Sequence, residues 1–402
     1  MTAQRVWWGL SVLLASVLVV SCSRPRSAAD GDVLSAAELG GPLPGLDPGE
    51  LARFEAGKAV FSRIFVQEDG LGPVYNENSC SACHSSPGTG GGGGEEYDIH
   101  ATFQADDGTC DLLDSHGGGN VRTQVTAWAR TAGVGPERTP PEANQRGLFT
   151  APPLWGRGLV EAVADETLLS MEDPDDLDGD GISGKVGRDA AGRIARFRRK
   201  ADVADLGDIA EGGVLVEMGL TTPTHPTELV FSVDALPAGA DPVADPEIDQ
   251  ASIDAIADYI RFLAPPARNM PATDAEKAQV AEGERRFHEV GCAACHIPTL
   301  PTGPTPEKAL DGKQAPLYSD LLLHDMGEQD ANLCAPAASP GEFRTEILLG
   351  VALRARYMHD GTAPTVWEAI AKHGGEGARS RDAFNALPEL ERHAVVAFVL
   401  TL

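Results

Sequence analysis

Two pentapeptides carry the most specific chemistry in the chain: Cys80-Ser81-Ala82-Cys83-His84 and Cys292-Ala293-Ala294-Cys295-His296. C-x-x-C-H is the attachment signature of c-type haem. Each thiol adds to one vinyl group, and the two-residue gap lets a single helical turn set both sulfurs along one porphyrin edge. The adjacent histidine then lies beneath the ring as the proximal iron ligand. A zinc site would want four ligands in paired spacing, but more than 200 residues separate these motifs and each has its own histidine. A thioredoxin-like motif would end a strand in a βαβ pattern, and the flanking sequence shows none. The expectation is two covalent haem c groups, one held by Cys80, Cys83 and His84, the other by Cys292, Cys295 and His296.

Three of the seven cysteines remain. Cys22 closes Val19-Val20-Ser21-Cys22, which follows Arg5 and an apolar run from Val6 to Val20 too short to span a bilayer comfortably. This pattern is similar to a bacterial lipobox, whose cysteine takes the lipid; a plain cleaved signal is the alternative. Ser23 after it implies sorting to the outer membrane of a Gram-negative cell. Residues 1–22 are thus expected to form a lipoprotein signal and 23–48 a flexible tether. Cys110 and Cys334 fall one in each half. The oxidising compartment favours a disulfide between them, with two free buried thiols as the alternative.

A third chemical signal is Asp176-Leu177-Asp178-Gly179-Asp180-Gly181-Ile182. Alternate carboxylates face one point, and glycine allows the turn that brings the next carbonyl inward. Asp176, Asp178, Asp180 and the carbonyl of Ile182 form part of a Ca²⁺ set. Gly187 stands where an EF-hand would place its last glutamate, so further ligands must come from elsewhere or from water; an unfilled acidic loop is the other reading.

The elements that must position these groups repeat. Gly57-Lys58-Ala59-Val60-Phe61 precedes the first motif and Gly283-Glu284-Arg285-Arg286-Phe287 the second. Helical apolar spacing recurs at Ala251–Leu263 and at Glu389–Leu402. A helix before the haem packed on a helix at the end of each half is the cytochrome c plan. The break falls at Pro265–Thr273, giving haem domains over 49–266, with the calcium loop inserted, and 267–402. Strand signals are sparse, with Leu229–Val233 one candidate. With 45 glycines and 29 prolines in 402 residues, turn-formers exceed their usual share of roughly 12%. The expected fold class is mainly α: two cytochrome c-like domains with long Gly/Pro-rich loops. A net charge of −28 argues against nucleic acid and suits a basic protein partner, or simply a solvated surface.

Over roughly residues 50–402 the chain resembles the bacterial di-haem oxidoreductases, also labelled thiol oxidoreductases, relatives of the di-haem cytochrome c peroxidases. The resemblance rests on Ala151-Pro152-Pro153-Leu154-Trp155-Gly156, the run Asp178–Gly184, Leu323-His324-Asp325-Met326-Gly327, Tyr357-Met358-His359-Asp360-Gly361 and Lys372-His373-Gly374-Gly375-Glu376. Arg199 stands where the family pattern has tryptophan, and Arg344–Leu349 lacks its Pro-Pro-Leu-Trp. The likeness implies one haem that stores electrons between two strong ligands and one that meets the oxidant. It implies His373, fourteen residues after His359, as the partner of His296, with Met326 and Met358 as alternatives and a helix-terminal surface histidine as the other reading of His373. His84 has no evident distal ligand in the sequence. Glu161 resembles the pocket acid-base, with an ordinary surface glutamate as the alternative, and Arg146 and Arg344 are candidates for the propionates.

The expected function is a periplasmic, lipid-anchored di-haem oxidoreductase of peroxidase type. Electrons from a small donor cytochrome would pass through the C-terminal haem to the N-terminal haem and a peroxide-like oxidant. A non-catalytic electron carrier and an enzyme that oxidises a partner protein are the rivals.

Overall fold

The first helix of the haem-bearing region starts where the sequence supplies its own cap. Asp47 accepts from the backbone of Gly49 and Glu50, Glu50 reaches back to the Asp47 N–H at 2.7 Å, and Pro48 fills the first position. Such reciprocal pairing satisfies donors that have no partner within the helix. The helix runs Pro48–Phe61 and lays Phe54, Gly57 and Phe61 on the Gln250–Phe262 helix. The second half repeats the device. Thr273 and Glu276 cap the Asp274–Glu289 helix, whose Val280, Gly283 and Phe287 pack on the Glu389–Val399 helix.

The computed structural model describes residues 39–93, 98–113, 119–233, 235–327 and 333–402, and these fall within one compact unit. The architecture is mainly helical with few short strands and, among the described residues, no closed sheet. The longest strand, Asp98–Gln104, lies between Cys110–Asp111 and Gln145–Phe149, antiparallel to both. Long irregular connections make up much of the rest, as the glycine and proline content implies. Among the described residues no helix is long and apolar enough to cross a membrane. The expected signal, Cys22 and most of the tether lie outside the described residues.

Three expectations change. The flexible tether does not extend to residue 48: Leu43 is buried, its N–H bonds to Phe262 O at 2.7 Å, and Ala264 N–H bonds to Gly41 O at 3.0 Å. Leu43 is the reason, since an apolar side chain is more stable against the closing helix than in water. The 266/267 boundary separates the helix pairs but not the core. Leu300, Leu317, Leu322 and Leu349 belong to the same buried cluster as Trp155, Leu159 and Phe262, while a second cluster surrounds Phe287 and Phe398. Leu229–Val233 is irregular rather than a strand; its Leu229 carbonyl is taken by the buried guanidinium of Arg122.

Candidate functional site

Each C-x-x-C-H motif occupies one tight turn. Ser79 caps the first, accepting from Ser81 N–H, and bonds back to the Phe61 carbonyl at 3.4 Å, fastening the motif to the opening helix. Gly291, at φ +90°, turns the chain into the second, a conformation glycine adopts without steric cost. The turns close through His84 N–H to Cys80 O at 3.1 Å and His296 N–H to Cys292 O at 3.0 Å. The packing is duplicated as well: Phe61 lies 6.3 Å from His84 and Phe287 lies 6.3 Å from His296, ring centre to ring centre.

The histidines share one hydrogen-bonding pattern. Nδ1–H donates to Gly91 O from His84 at 3.3 Å, to Tyr318 O from His296 at 2.8 Å, and to Ala369 O from His373 at 2.8 Å. A carbonyl only accepts, so a ring held this way carries its lone pair on Nε2 when neutral, the tautomer of a metal ligand. Burial pulls the pKa of His84 and of His296 down to about 4, which keeps both rings neutral at pH 7. His373 follows the short Val366–Ala371 helix and meets His296 with ring centres 6.5 Å apart. The structure therefore joins the His296–His373 pair that the resemblance implied.

A cavity runs between the two halves, bounded by Gly93 and Pro152 on one side and Cys295, His296 and His373 on the other. Arg199, Arg344 and Arg354 line it together with Glu346. Glu346 receives Arg344 at 2.8 Å, Arg157 at 3.3 Å and Arg354 at 3.5 Å. Three arginines therefore share one carboxylate, and Arg199, bonded to the Thr150 carbonyl at 3.3 Å, adds a fourth positive charge to the same cavity. Burial opposes the charged Glu346, and these guanidinium groups override it, holding the carboxyl well below the usual range. Burial lowers Arg157 to about 10. Excess buried positive charge is costly unless anions meet it.

A sequence profile of the family described as "Di-haem oxidoreductase, putative peroxidase" matches residues 142–402. The chain belongs to this family. It is an oxidoreductase enzyme, and the family implies two haems. Comparison with curated proteins gives no match. Among solved structures, hydrazine synthase of Kuenenia stuttgartiensis aligns at 14% identity and TM-score 0.39 over 98% of this chain and 100% of that one. A variant of the diheme peroxidase BthA from Burkholderia thailandensis aligns at 15% and 0.41 over 89% and 86%. A MauG-like protein associated with microbial copper homeostasis aligns at 17% and 0.31 over 62% and 89%.

The di-haem family's cofactors fit the residues present. Three imidazoles whose Nδ1 atoms are held by backbone carbonyls, which turns Nε2 toward a metal, suit iron. Two metal–nitrogen bonds of about 2 Å each, with the half-widths of two imidazoles, span roughly the His296–His373 separation. The arginine surplus in the cavity suits propionates, since guanidinium forks match carboxylates. Of the two arginines picked from sequence, Arg344 is buried at the cavity and Arg146 is exposed.

Glu161 is placed differently from expectation. Its carboxylate takes Arg261 Nε at 2.6 Å and Leu206 N–H at 2.9 Å, so it braces two helices and does not line the cavity. Sequence reasoning missed Glu217, whose carboxylate receives Asn76 Nδ2 at 3.0 Å and Asn120 Nδ2 at 2.6 Å. Burial and the nearby Asp98 push its pKa up to about 7, and its charge reaches the Cys80 sulfur. An acidic residue inside the otherwise apolar stretch Val214–Met218 is the available signal.

In the sequence His324 stands only as one residue of the Leu323–Gly327 motif, yet it is 3% exposed and bonds Asp320 and Glu376 at 2.9 Å each. Burial disfavours its charge, but the hydrogen bonds to Asp320, Cys295 and Glu376 prevail and push its pKa up to about 12.

In the acidic loop, Asp176 and Asp178 converge with Asp173, which was not anticipated, their oxygens within 4.8 Å of one another. Asp180 lies outside this group; its carboxylate accepts the Ile182 N–H at 2.8 Å in a local turn, as Asp178 accepts the Asp180 N–H at 3.1 Å. Cys110 and Cys334 are joined as a disulfide with Cα atoms 5.7 Å apart.

Proposed function

We propose that this oxidoreductase is an exported, peroxidase-like c-type cytochrome in which Cys80 and Cys83 hold one haem and Cys292 and Cys295 the other. The carrying observation is the inequality of two otherwise repeated sites. His84 and His296 pack on equivalent phenylalanines, but among the described residues His296 alone has a second imidazole, His373, facing it at 6.5 Å. In this reading the His296–His373 site stores an electron, and the His84 site is where the oxidant is met.

Bound haem supplies iron that exchanges single electrons. The chain supplies orientation, charge and protons. The carbonyls of Gly91, Tyr318 and Ala369 fix the imidazole tautomers. Glu217, like Glu161, stands outside the lining of the cavity between the halves, but its charge reaches Cys80 of the first motif. In this reading its carboxyl, which still holds its proton near pH 7, takes the role expected of Glu161 and delivers that proton to a departing oxygen. Reducing hydrogen peroxide to two waters consumes two electrons and two protons. The donor is a small redox protein with a basic face, drawn by a surface of net charge −28. Ca²⁺ occupies the Asp173–Asp176–Asp178 loop, and a lipid on Cys22 tethers the enzyme on the periplasmic side of a Gram-negative outer membrane.

The test uses full-length protein matured with a cytochrome c assembly system. Intact mass and a pyridine haemochrome assay should count two thioether-bound haems, and hydrogen peroxide should rapidly reoxidise the reduced protein. A polypeptide without the added mass, or reduced protein indifferent to peroxide, overturns the proposal.

A further inference from the structure

We infer that His324 is a positioning residue: its ring ties the segment supporting His296 to the segment carrying His373, and so holds the two axial imidazoles at the separation one iron requires. This rests on the His296–His373 pairing proposed above.

One side of the tie begins at His296, whose Nδ1–H is held by Tyr318 O at 2.8 Å. Two residues on, the Asp320 N–H bonds to Cys295 O at 2.9 Å, and the Asp320 carboxylate lies 2.9 Å from His324 Nε2. The other side begins at Glu376, three residues after His373, which meets His324 Nδ1 at 2.9 Å. Glu376 also receives Ser183 Oγ at 2.6 Å and Ser183 N–H at 3.0 Å. The anchor is a strand: Leu323–Asp325 pairs antiparallel with Glu342–Arg344, setting His324 opposite Phe343.

The His373 segment needs such a tie. It leaves a six-residue helix and enters Gly374, Gly375 and Gly377, residues that resist little when bent. Gly375 is pressed so closely on the strand that a Cβ there would lie 2.0 Å from Asp325 O. A histidine suits the task because one rigid ring donates in two directions at once, and both acceptors here are carboxylates. Charge-assisted bonds of this kind in a dry site are the stronger class.

The test reads ferric spin state by electron paramagnetic resonance and the reduction midpoint, on two-haem protein, in Glu376→Gln, His324→Gln and His373→Ala. In His373→Ala the low-spin signal of the C-terminal haem should be replaced by a high-spin signal. Glu376→Gln keeps the shape of the side chain and should show part of that same replacement with a shifted midpoint; His324→Gln should show more. If His373→Ala keeps the full low-spin signal, the axial pairing fails and the tie falls with it. If His373→Ala loses the signal while Glu376→Gln keeps both signal and midpoint, the pairing stands and the tie is overturned. Loss of the second haem from Glu376→Gln also counts against it, because attachment rests on Cys292 and Cys295, not on ligand positioning.

Discussion

Gly57 crosses the Gln250–Phe262 helix so closely that a Cβ there would lie 2.0 Å from the carbonyl oxygen of Ala255. The other half repeats the crossing, with Gly283 against Ala394 O at 1.9 Å. Neither neighbour can yield, since each is backbone inside a helix. Gly57→Ala and Gly283→Ala should each destabilise the protein by roughly 1–3 kcal/mol or more, the cost of overpacking a core, seen as a lower Tm in calorimetry. Gly213, which has nothing within 4 Å of its Cβ position, is the contrast. As a mid-helix glycine, its replacement by alanine should leave Tm unchanged or raise it.

Those crossings explain why so much was legible. Gly57, Phe61, Gly283 and Phe287 could be read as a duplicated helix before each motif, and the closing helices announced themselves by apolar spacing. The His296–His373 pair came from a motif, and the structure supplied the contact. What stayed hidden depended on distant chain meeting in space. Glu161 reads locally as a pocket acid, but Arg261, a hundred residues on, bonds its carboxylate away from the cavity. Glu217 has no local pattern, because its character comes from burial and from Asn76 and Asn120. Asp173 joined Asp176 and Asp178 through a loop bend no spacing rule describes.

The Cys110–Cys334 disulfide closes 224 residues of sequence and links the strand region of the first half to a loop of the second. In the chain-entropy limit a loop of that length stabilises by roughly 5 kcal/mol, and measured values are often less. Cys110→Ala/Cys334→Ala protein should unfold at lower denaturant concentration than the oxidised wild type. Equal midpoints would show that the bridge constrains nothing.

Glu228 and Glu247 lie beside Asp241 and Asp245, and burial followed by this repulsion pushes their pKa values up to about 9 and about 8. A carboxyl whose folded pKa exceeds its unfolded value binds more protons in the folded state. Its contribution is fully present below about pH 4.5 and is lost as pH rises through 8 to 9. Tm should therefore fall from about pH 4.5 upward and level off above about pH 9. Glu228→Gln should flatten the fall and change little at pH 4.5; a fall of unchanged steepness in the variant would remove Glu228 as its source.

Glu217 offers a kinetic counterpart. Burial and Asp98 hold its proton to about pH 7, so peroxide turnover should decline on the alkaline side of that value as the acid form disappears. Glu217→Gln keeps the bond from one asparagine but has no proton to give, and kcat/KM for peroxide should fall by about 10²-fold or more. The remaining activity should lose that alkaline limb. Retention of the limb in the variant would assign it to another group.

The arginine cluster makes a prediction about potential rather than rate. Glu346 is the one carboxylate shared by Arg157, Arg344 and Arg354. Beside a cavity walled by protein a unit charge is screened less than in bulk water. Reduction adds an electron to a haem, so nearby positive charge favours it and negative charge opposes it. Glu346→Gln should therefore raise the reduction midpoint of the haem nearest the cluster, and Arg344→Gln should lower it. Potentiometric titration of the two-haem protein checks both signs in one experiment. Opposite shifts fit a cluster acting by charge. Shifts of the same sign would mean that both variants act by loosening the cavity wall, since loss of packing does not distinguish a removed anion from a removed cation.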